Sequence, residues 1–266
     1  MPVSTDLAEL IDCFKSAPAP SYKVTNYFPI YADLFGHLRG TACTFVETGV
    51  LNGGSLFMWR HWLGPKARII GVDLNPGAEK WQKAGFEIYI GDQGDPGFWR
   101  QTFEKIGTFD VLLDDGGHQS FQQIVTLTEA LRAAKTNCIV AVEDTITSLM
   151  REFSAHKDHS FLEYAKSSTD ILLARMSHFF PNDFPAVRNQ KMAEQFSKVE
   201  SVQFFAGLVA YKIRPHAIER PSLVWNHQPA QDEAAKDFRY NGVNGAQVDW
   251  PDLYTPQSLL IQGGKT

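Results

Sequence analysis

Short apolar runs rich in β-branched residues alternate with longer amphipathic stretches between residues 43 and 145. The apolar runs are typical of β-strands, and the stretches between them repeat their apolar residues at helical spacing. Regular alternation of strand and helix indicates a parallel sheet with crossover helices. The predicted strands lie at 43–48, 67–74, 86–91, 109–114 and 138–143, and the predicted helices at 55–63, 76–83, 96–106 and 118–134.

Two further predicted strands, at 200–205 and 208–213, are separated only by Ala206 and Gly207. A two-residue connection allows antiparallel pairing and excludes a parallel crossover. We therefore predict an α/β fold with a doubly wound, mainly parallel sheet that ends in an antiparallel hairpin. This arrangement is usual in the Rossmann-like class I methyltransferases, whereas nicotinamide-binding domains normally add a parallel sixth strand.

The same pattern divides the chain into three parts. Residues 1–40 form an N-terminal helical segment that we expect to pack on the core, and residues 41–215 form the methyltransferase-like domain. Within that domain, a helical segment at about 158–178 precedes a proline-containing break at 181–185. Residues 216–266 show no clear period, so we expect an irregular C-terminal extension.

Composition and charge exclude several classes of partner. With 44% hydrophobic and 21% charged residues among 266, the chain can bury a core. The net charge is −5 without a cluster of Lys and Arg, so nucleic acid is not an expected partner. No apolar run approaches the roughly 20 residues that cross a bilayer, and we expect no membrane partner. The 3 cysteines, two of them within apolar runs, indicate free thiols and a cytoplasmic location.

A glycine-rich turn, ETGVLNGGS at 47–55, follows the first predicted strand. Glycines at such a turn let a ligand approach the backbone closely. Their spacing differs from the G-x-G-x-x-G pattern that places a pyrophosphate on a helix N-terminus. A ligand without phosphates, such as S-adenosylmethionine, therefore fits better than a dinucleotide. An ordinary strand-to-helix turn is the alternative interpretation.

Polar residues at the next strand ends favour a nucleoside pocket. Asp73 ends the second predicted strand, at about the separation from Gly49 at which a carboxylate reaches a ribose diol. Asp92 and Gln93 follow the third strand, where they can hydrogen-bond an adenine. Because these strand ends meet at one crevice, a pocket explains them better than separate helix caps. The candidate cofactor-binding residues are Glu47, Thr48, Gly49, Asn52, Gly53, Ser55, Asp73, Asp92, Gln93 and Asp114.

Carboxylates also cluster at the ends of the fourth and fifth predicted strands. Asp114 is the last residue of the fourth strand, and Asp115 follows it. Glu143 is the last residue of the fifth strand, about 4.8 Å away in a parallel sheet, and Asp144 follows it. Oxygen ligands favour Mg²⁺, with Mn²⁺ and Ca²⁺ as alternatives, over zinc. Glu143 and Asp144 can act together only if the strand breaks there, because adjacent strand residues point to opposite faces.

A divalent ion at this edge would activate an alcohol for methylation, since it lowers the pKa of a bound hydroxyl and fixes its oxygen. His118 stands at the start of the next predicted helix and can accept the released proton. A helix-capping histidine is the alternative interpretation.

These motifs resemble the metal-dependent sugar O-methyltransferases of macrolide and related antibiotic pathways, of the macrocin and mycinamicin type. The resemblance covers residues from about 22 to 213 and rests on ETGV and GGS within 47–55, GDQ at 91–93, DDGGH at 114–118 and VEDT at 142–145. It implies an enzyme that uses S-adenosylmethionine and Mg²⁺. In that case Asp115, Glu143 and Asp144 are the metal ligands, and His118 acts as the base beside Asp115. A related branch was named as cephalosporin hydroxylases.

The acceptor side departs from that family, which often has serine in the place of Gly117. We expect the segment 22–31, the loop 146–159 and the aromatic residues of the C-terminal extension to line the acceptor pocket. The expected acceptor is a glycoside or another diol-bearing metabolite. A homo-oligomer is compatible with the sequence.

Two other function classes compete with methyl transfer. A nucleotide-binding oxidoreductase would require the G-x-G-x-x-G turn and would lack the antiparallel hairpin. A non-catalytic nucleoside-binding domain would keep the glycine turn and Asp73. It would have no need for Asp115, His118 and the Glu143-Asp144 pair together.

Overall fold

Five parallel strands form one side of a seven-stranded sheet, as the alternation of apolar runs predicts. The computed structural model describes residues 5–154, 159–176 and 190–215. The parallel strands are β1 (Thr44–Thr48), β2 (Arg68–Asp73), β3 (Glu87–Ile90), β4 (Val111–Asp114) and β5 (Cys138–Val142). Their spatial order is β3-β2-β1-β4-β5. The strand order reverses between β1 and β4, so their carboxyl ends open a crevice.

An antiparallel hairpin completes the sheet. It consists of β6 (Val199–Phe205) and β7 (Leu208–Ile213), and β7 pairs antiparallel with β5. The short connection of Ala206 and Gly207 forces this direction, because a parallel return needs a crossover. The predicted fold class is confirmed.

Helices cover the sheet in the described part of the chain. They are α1 (Thr5–Lys15), α2 (Tyr27–Phe35), α3 (Gly54–Leu63), α4 (Pro96–Ile106), α5 (Ser120–Ala133), α6 (Phe161–Ala174) and α7 (Gln190–Phe196). Three segments, Gly36–Leu38, Pro76–Ala84 and Thr145–Leu149, are 3-10 helices.

Three helical segments differ from the sequence prediction. The segment predicted as a helix at 76–83 is the 3-10 helix Pro76–Ala84. The helix predicted to reach 178 ends at Ala174, while residues 177 and 178 and the predicted break at 181–185 lie outside the described residues. Helix α7 was not predicted, because 7 residues are too few to establish a helical period.

The apolar residues form two core layers on opposite faces of the sheet. Phe45 of β1 lies in the layer covered by α1, α2 and α3, and Val46 lies in the layer covered by α4, α5 and α6. Tyr31, Phe35 and Trp59 are fully buried in the first layer. Burial of each such side chain contributes about 1.5–3 kcal/mol. These contacts hold α2 beside the carboxyl end of the sheet.

The described residues all belong to one compact unit of the chain. The predicted extension at 216–266 lies outside the described residues. Cys13, Cys43 and Cys138 are free thiols, as predicted. In the described ranges, no helix combines the length and the apolar composition that spanning a membrane requires.

Candidate active site

The turn between β1 and α3 depends on glycines in the left-handed region. Gly49 has a φ of +90° and Gly53 a φ of +80°. A Cβ on Gly49 would lie 2.0 Å from the backbone oxygen of Asp115, and a Cβ on Gly53 would lie 2.3 Å from the Trp81 ring. The turn therefore approaches the residue after β4 more closely than any side chain at Gly49 would allow.

The variant Gly49→Ala should lose about 3 kcal/mol or more of unfolding free energy. Alanine disfavours the left-handed backbone at this position, and its Cβ would also clash with the Asp115 carbonyl. Gly40→Ala is the matched control, since Gly40 has a φ of +73° and nothing within 4 Å of an added Cβ. The control should lose only about 1–2 kcal/mol. Chemical denaturation measures both losses, and equal losses would contradict the close approach at Gly49.

The glycine turn borders a cavity of about 470 Å³ in the crevice. This volume is typical of sites for small molecules and cofactors. The predicted cofactor-binding residues that line it are Thr48, Gly49, Asn52, Ser55, Asp73, Asp92 and Gln93. Asp115 and His118 line the same cavity. The strand ends thus meet around one space.

Three other candidate cofactor residues are buried behind the cavity wall. Gly53 packs against Trp81. The Glu47 carboxylate is 0% exposed and accepts hydrogen bonds from Ser55 Oγ at 2.8 Å and Trp59 Nε1 at 3.3 Å. Burial raises the pKa of Glu47 above its ordinary value. The carboxylate thereby ties β1 to α3.

Asp114, also in the predicted cofactor set, is 1% exposed. Its Oδ1 accepts from Gln93 Nε2 at 2.9 Å and from the Gly116 amide at 3.2 Å. Burial raises the pKa of Asp114 to about 6. Asp114 therefore positions Gln93 and the turn after β4.

Asp73 and Asp92 organise the backbone around the cavity. Asp73 Oδ2 accepts from the amides of Val50 and Leu51 at 2.8 and 3.1 Å. Asp92 Oδ1 accepts from the Gly94 amide at 2.7 Å. Because a carboxylate has about four acceptor positions, these bonds leave capacity for ligand hydroxyl or amino groups.

A buried lysine lies among carboxylates from three strand ends. Lys23 Nζ is 2.5 Å from Asp115 Oδ2, 3.2 Å from Glu143 Oε2 and 3.5 Å from Glu47 Oε1. The Lys23 side chain is only 2% exposed. Burial alone lowers the pKa of Lys23, but the nearby negative groups, Glu143 foremost, raise it well above its ordinary value. Lys23 is therefore the internal cation of this cluster.

Two tyrosines of α2 hold the carboxylates that follow β5. Tyr31 Oη donates a short hydrogen bond to Glu143 Oε1, and Tyr27 Oη donates to Asp144 Oδ1 at 2.8 Å. Burial raises the pKa of Glu143 to about 8, against the opposing effect of Lys23. Strand β5 ends at Val142, and Asp144 has a φ of +50°. The break of the strand that a joint role of Glu143 and Asp144 would require is thus present, but it turns the two carboxylates to different partners.

Among the residues that the structure describes, Asp115, His118 and Asp144 form a group that could hold a metal ion, with one ligand atom from each within 4.8 Å of the others. His118 Nε2 lies 3.6 Å from Asp144 Oδ2. Two carboxylates and an imidazole at this spacing fit a divalent cation. The Glu143 carboxylate, which belongs to the predicted ligand set, instead faces Lys23 and Tyr31.

The backbone at His118 is unusual. Its φ is +58°, and it directly precedes Gln119, the N-cap of α5. Its Nδ1 is buried without a hydrogen-bond partner, while its Nε2 is on the side of Asp144. The strained turn therefore aims Nε2 at Asp144. We call Asp115 and Asp144 together the acidic edge of the site.

Comparison with known proteins identifies relatives in both sequence and structure, although no protein family model matches the chain. It is 31% identical over 129 residues to 8-demethyl-8-(2-methoxy-alpha-L-rhamnosyl)-tetracenomycin-C 3'-O-methyltransferase of Streptomyces olivaceus, covering 46% of this chain and 33% of that protein. It is 25% identical over 161 residues to demethylmacrocin O-methyltransferase of Streptomyces fradiae, covering 58% and 40%.

Among solved structures, the MycE methyltransferase from the mycinamycin biosynthetic pathway, in complex with Mg and SAH, matches with a TM-score of 0.67. The match has 20% sequence identity and covers 88% of this chain and 58% of that one. The chain has the class I methyltransferase fold. In sequence it is similar to the two O-methyltransferases named above, and the match spans a third to two fifths of their length.

Three residues that contact the carboxylates of this site were not assigned roles from the sequence: Lys23, Tyr27 and Tyr31. They lie in the segment 22–31, which was expected to line the acceptor pocket, and Tyr22 does line the cavity. A cluster of buried carboxylates requires a compensating charge. Lys23 is the only lysine between residues 16 and 40, so that requirement could have pointed to it.

Proposed function

We propose that the protein is an S-adenosylmethionine- and Mg²⁺-dependent O-methyltransferase that acts on a hydroxyl of a sugar or another diol-bearing natural product. The observation that carries this proposal is the shared space. Asp115 and His118, two of the three residues that could hold a metal ion, also line the cavity at the crevice between β1 and β4. A methyl donor in the cavity and a hydroxyl at the acidic edge can therefore meet.

We assign the methyl donor to the cavity through the β1–α3 turn and the ends of β2 and β3. Gly49 lies against the Asp115 backbone, and Thr48 and Asn52 line the same cavity, so we assign these three residues to the methionine end of the donor. Asp73 suits a ribose diol, and Asp92 suits an adenine amino group. Gln93 mainly shapes the wall of the cavity, since its Oε1 already accepts a hydrogen bond from the Gly117 amide at 2.7 Å.

The residues proposed to hold Mg²⁺ are Asp115 and Asp144, which belong both to the predicted ligand set and to the observed group. When bound, the ion supplies a Lewis acid that lowers the pKa of an acceptor hydroxyl. His118 Nε2 takes the hydroxyl proton as the oxygen bonds to the methyl carbon and the carbon–sulfur bond breaks. The Asp144 carboxylate, 3.6 Å away, stabilises the resulting imidazolium. The products are a methyl ether and S-adenosylhomocysteine.

Exposed apolar side chains near the acidic edge favour an acceptor with an apolar part. Tyr22 is 79% exposed and lines the cavity, and Ile146 and Met150, which follow Asp144, are 52% and 42% exposed. Such side chains are typical of small-molecule sites. The relatives named above support a glycosylated acceptor, because one of them is named as a methyltransferase of a rhamnosyl tetracenomycin.

Isothermal titration calorimetry with S-adenosylhomocysteine and NADH tests this proposal against the oxidoreductase alternative. S-adenosylhomocysteine should bind and raise the melting temperature, and NADH should do neither. Transfer of a labelled methyl group from S-adenosylmethionine to a panel of glycosides then identifies the acceptor. Binding of NADH without binding of S-adenosylhomocysteine would refute the proposal.

A further inference from the structure

A short turn after β4 carries both Asp115 and His118, and side chains from other elements hold its backbone. The Gly117 amide donates to Gln93 Oε1 at 2.7 Å, and the His118 carbonyl accepts from Thr147 Oγ1 at 3.1 Å. His118 has a φ of +58°, a region that a residue with a side chain keeps only where its surroundings fix it. Gln93 therefore fixes the backbone before His118, and Thr147 fixes the backbone after it.

The Gln93 side chain is itself firmly held. Gln93 is 6% exposed, and its Nε2 donates to Asp114 Oδ1 at 2.9 Å and to Thr126 Oγ1 at 3.3 Å. Its backbone carbonyl accepts from Trp99 Nε1 at 2.9 Å. Because both hydrogens of the side-chain amide are used within the protein, the Gln93 side chain has no free donor for a ligand.

Close packing at Gly116 shows how specific this contact is. A Cβ on Gly116 would lie 1.9 Å from Gln93 Oε1 and 3.0 Å from Thr48 Cγ2. A side chain at position 116 would therefore push Gln93 away from the Gly117 amide. The absence of a side chain at Gly116 allows a residue of the loop after β3 to reach the turn after β4.

We propose that Gln93 is a positioning residue, whose side chain fixes the turn after β4 so that the His118 imidazole faces the acceptor hydroxyl at the acidic edge. This inference rests on the proposed function and deepens it, because it gives the Gln93 side chain a part in proton transfer. Asp92, the preceding residue, lines the cofactor cavity, so one loop serves both the methyl donor and the base. Without the bond to Gly117, the backbone at His118 relaxes and the imidazole moves from its place.

The variant Gln93→Met tests the inference, because methionine has a similar length but cannot accept a hydrogen bond from Gly117. At saturating S-adenosylmethionine and Mg²⁺, kcat should fall by about 10–100-fold, since a misplacement of about 1 Å can cost about 100-fold. The affinity for S-adenosylhomocysteine should stay within about threefold of the wild type. In the His118→Asn background, the same replacement should lower kcat by less than about threefold, because the base is already absent.

A second measurement needs no acceptor. With isotopically labelled histidine, the nuclear magnetic resonance signal of the His118 ring is identified by its loss in His118→Asn. This signal should shift in Gln93→Met, whereas the signal of His61, an exposed residue of α3, should not. A role of Gln93 in stability alone predicts no such shift in the folded protein.

Gln82→Met is the matched control, because Gln82 is an exposed glutamine whose Nε2 donates to the Ile88 carbonyl at 3.4 Å. It should leave both kcat and the His118 signal unchanged. Phe103→Leu, in the core layer covered by α4, should lower the melting temperature and also leave the His118 signal unchanged. If Gln93→Met does not fold, Gln93→Asn replaces it and should give the same shift, because its amide is one methylene too short for the same contacts.

An unchanged His118 signal in the folded variant would overturn the inference, as would an unchanged kcat or an equal loss of kcat in the His118→Asn background. A loss of about tenfold or more in S-adenosylhomocysteine affinity would also overturn it, because the Gln93 side chain would then be a cofactor ligand. Failure of the proposed function is seen separately, as the absence of S-adenosylhomocysteine binding by the wild type. In that case the His118 signal still decides whether Gln93 sets the position of the ring.

Discussion

Replacing His118 with asparagine should lower kcat for methyl transfer by about 10²–10⁴-fold, the usual contribution of a positioned general base. The imidazole Nε2 lies at the acidic edge, and its loss leaves the acceptor proton without a protein acceptor. Asparagine is the appropriate replacement because it tolerates the φ of +58° at this position. Affinities for S-adenosylhomocysteine and Mg²⁺ should change by less than about threefold.

The control for this variant is His61→Asn, since His61 is exposed on α3 and should leave kcat unchanged. A parallel loss of Mg²⁺ affinity in His118→Asn would show that His118 is a metal ligand instead of the base. A loss of S-adenosylhomocysteine affinity with little change in kcat would make it a residue of the cofactor cavity.

Asp144→Asn should lower Mg²⁺ affinity by about 30-fold or more and reduce methyl transfer in proportion at subsaturating Mg²⁺. The amide keeps the shape of the side chain and its oxygen can still accept from Tyr27, so the fold should be retained. Excess EDTA should abolish wild-type activity, and Mg²⁺ should restore it. Steady-state rates over a range of free Mg²⁺ measure all three effects.

Asp170→Asn provides the matched control, because Asp170 is an exposed residue of α6. It should show the Mg²⁺ dependence of the wild type. Undiminished methyl transfer in excess EDTA would show that the reaction needs no divalent ion, and the role proposed for Asp144 would then be wrong.

The fold was predictable because its signals are local. Each parallel strand is an apolar run of a few residues, and the two-residue connection at Ala206 and Gly207 dictates the antiparallel hairpin. The carboxyl ends of parallel strands lie at the same edge of the sheet, which is why Asp73, Asp92 and Asp115 could be placed at one cavity.

The partners of the acidic residues could not be predicted in this way. Lys23 reaches Glu143 across 120 positions of the chain, and no periodicity encodes such a contact. Whether a carboxylate faces a cavity or a core also depends on side-chain packing. Glu47 and Asp114 were therefore expected to contact the cofactor, whereas they support the cavity from behind.

A crystal structure with S-adenosylhomocysteine and Mn²⁺, analysed by anomalous scattering, tests the central claim most directly. The account predicts one manganese peak bonded to Asp115 and Asp144, with S-adenosylhomocysteine in the cavity and its sulfur facing the metal. A structure with S-adenosylhomocysteine bound but no metal peak between these two carboxylates would contradict it.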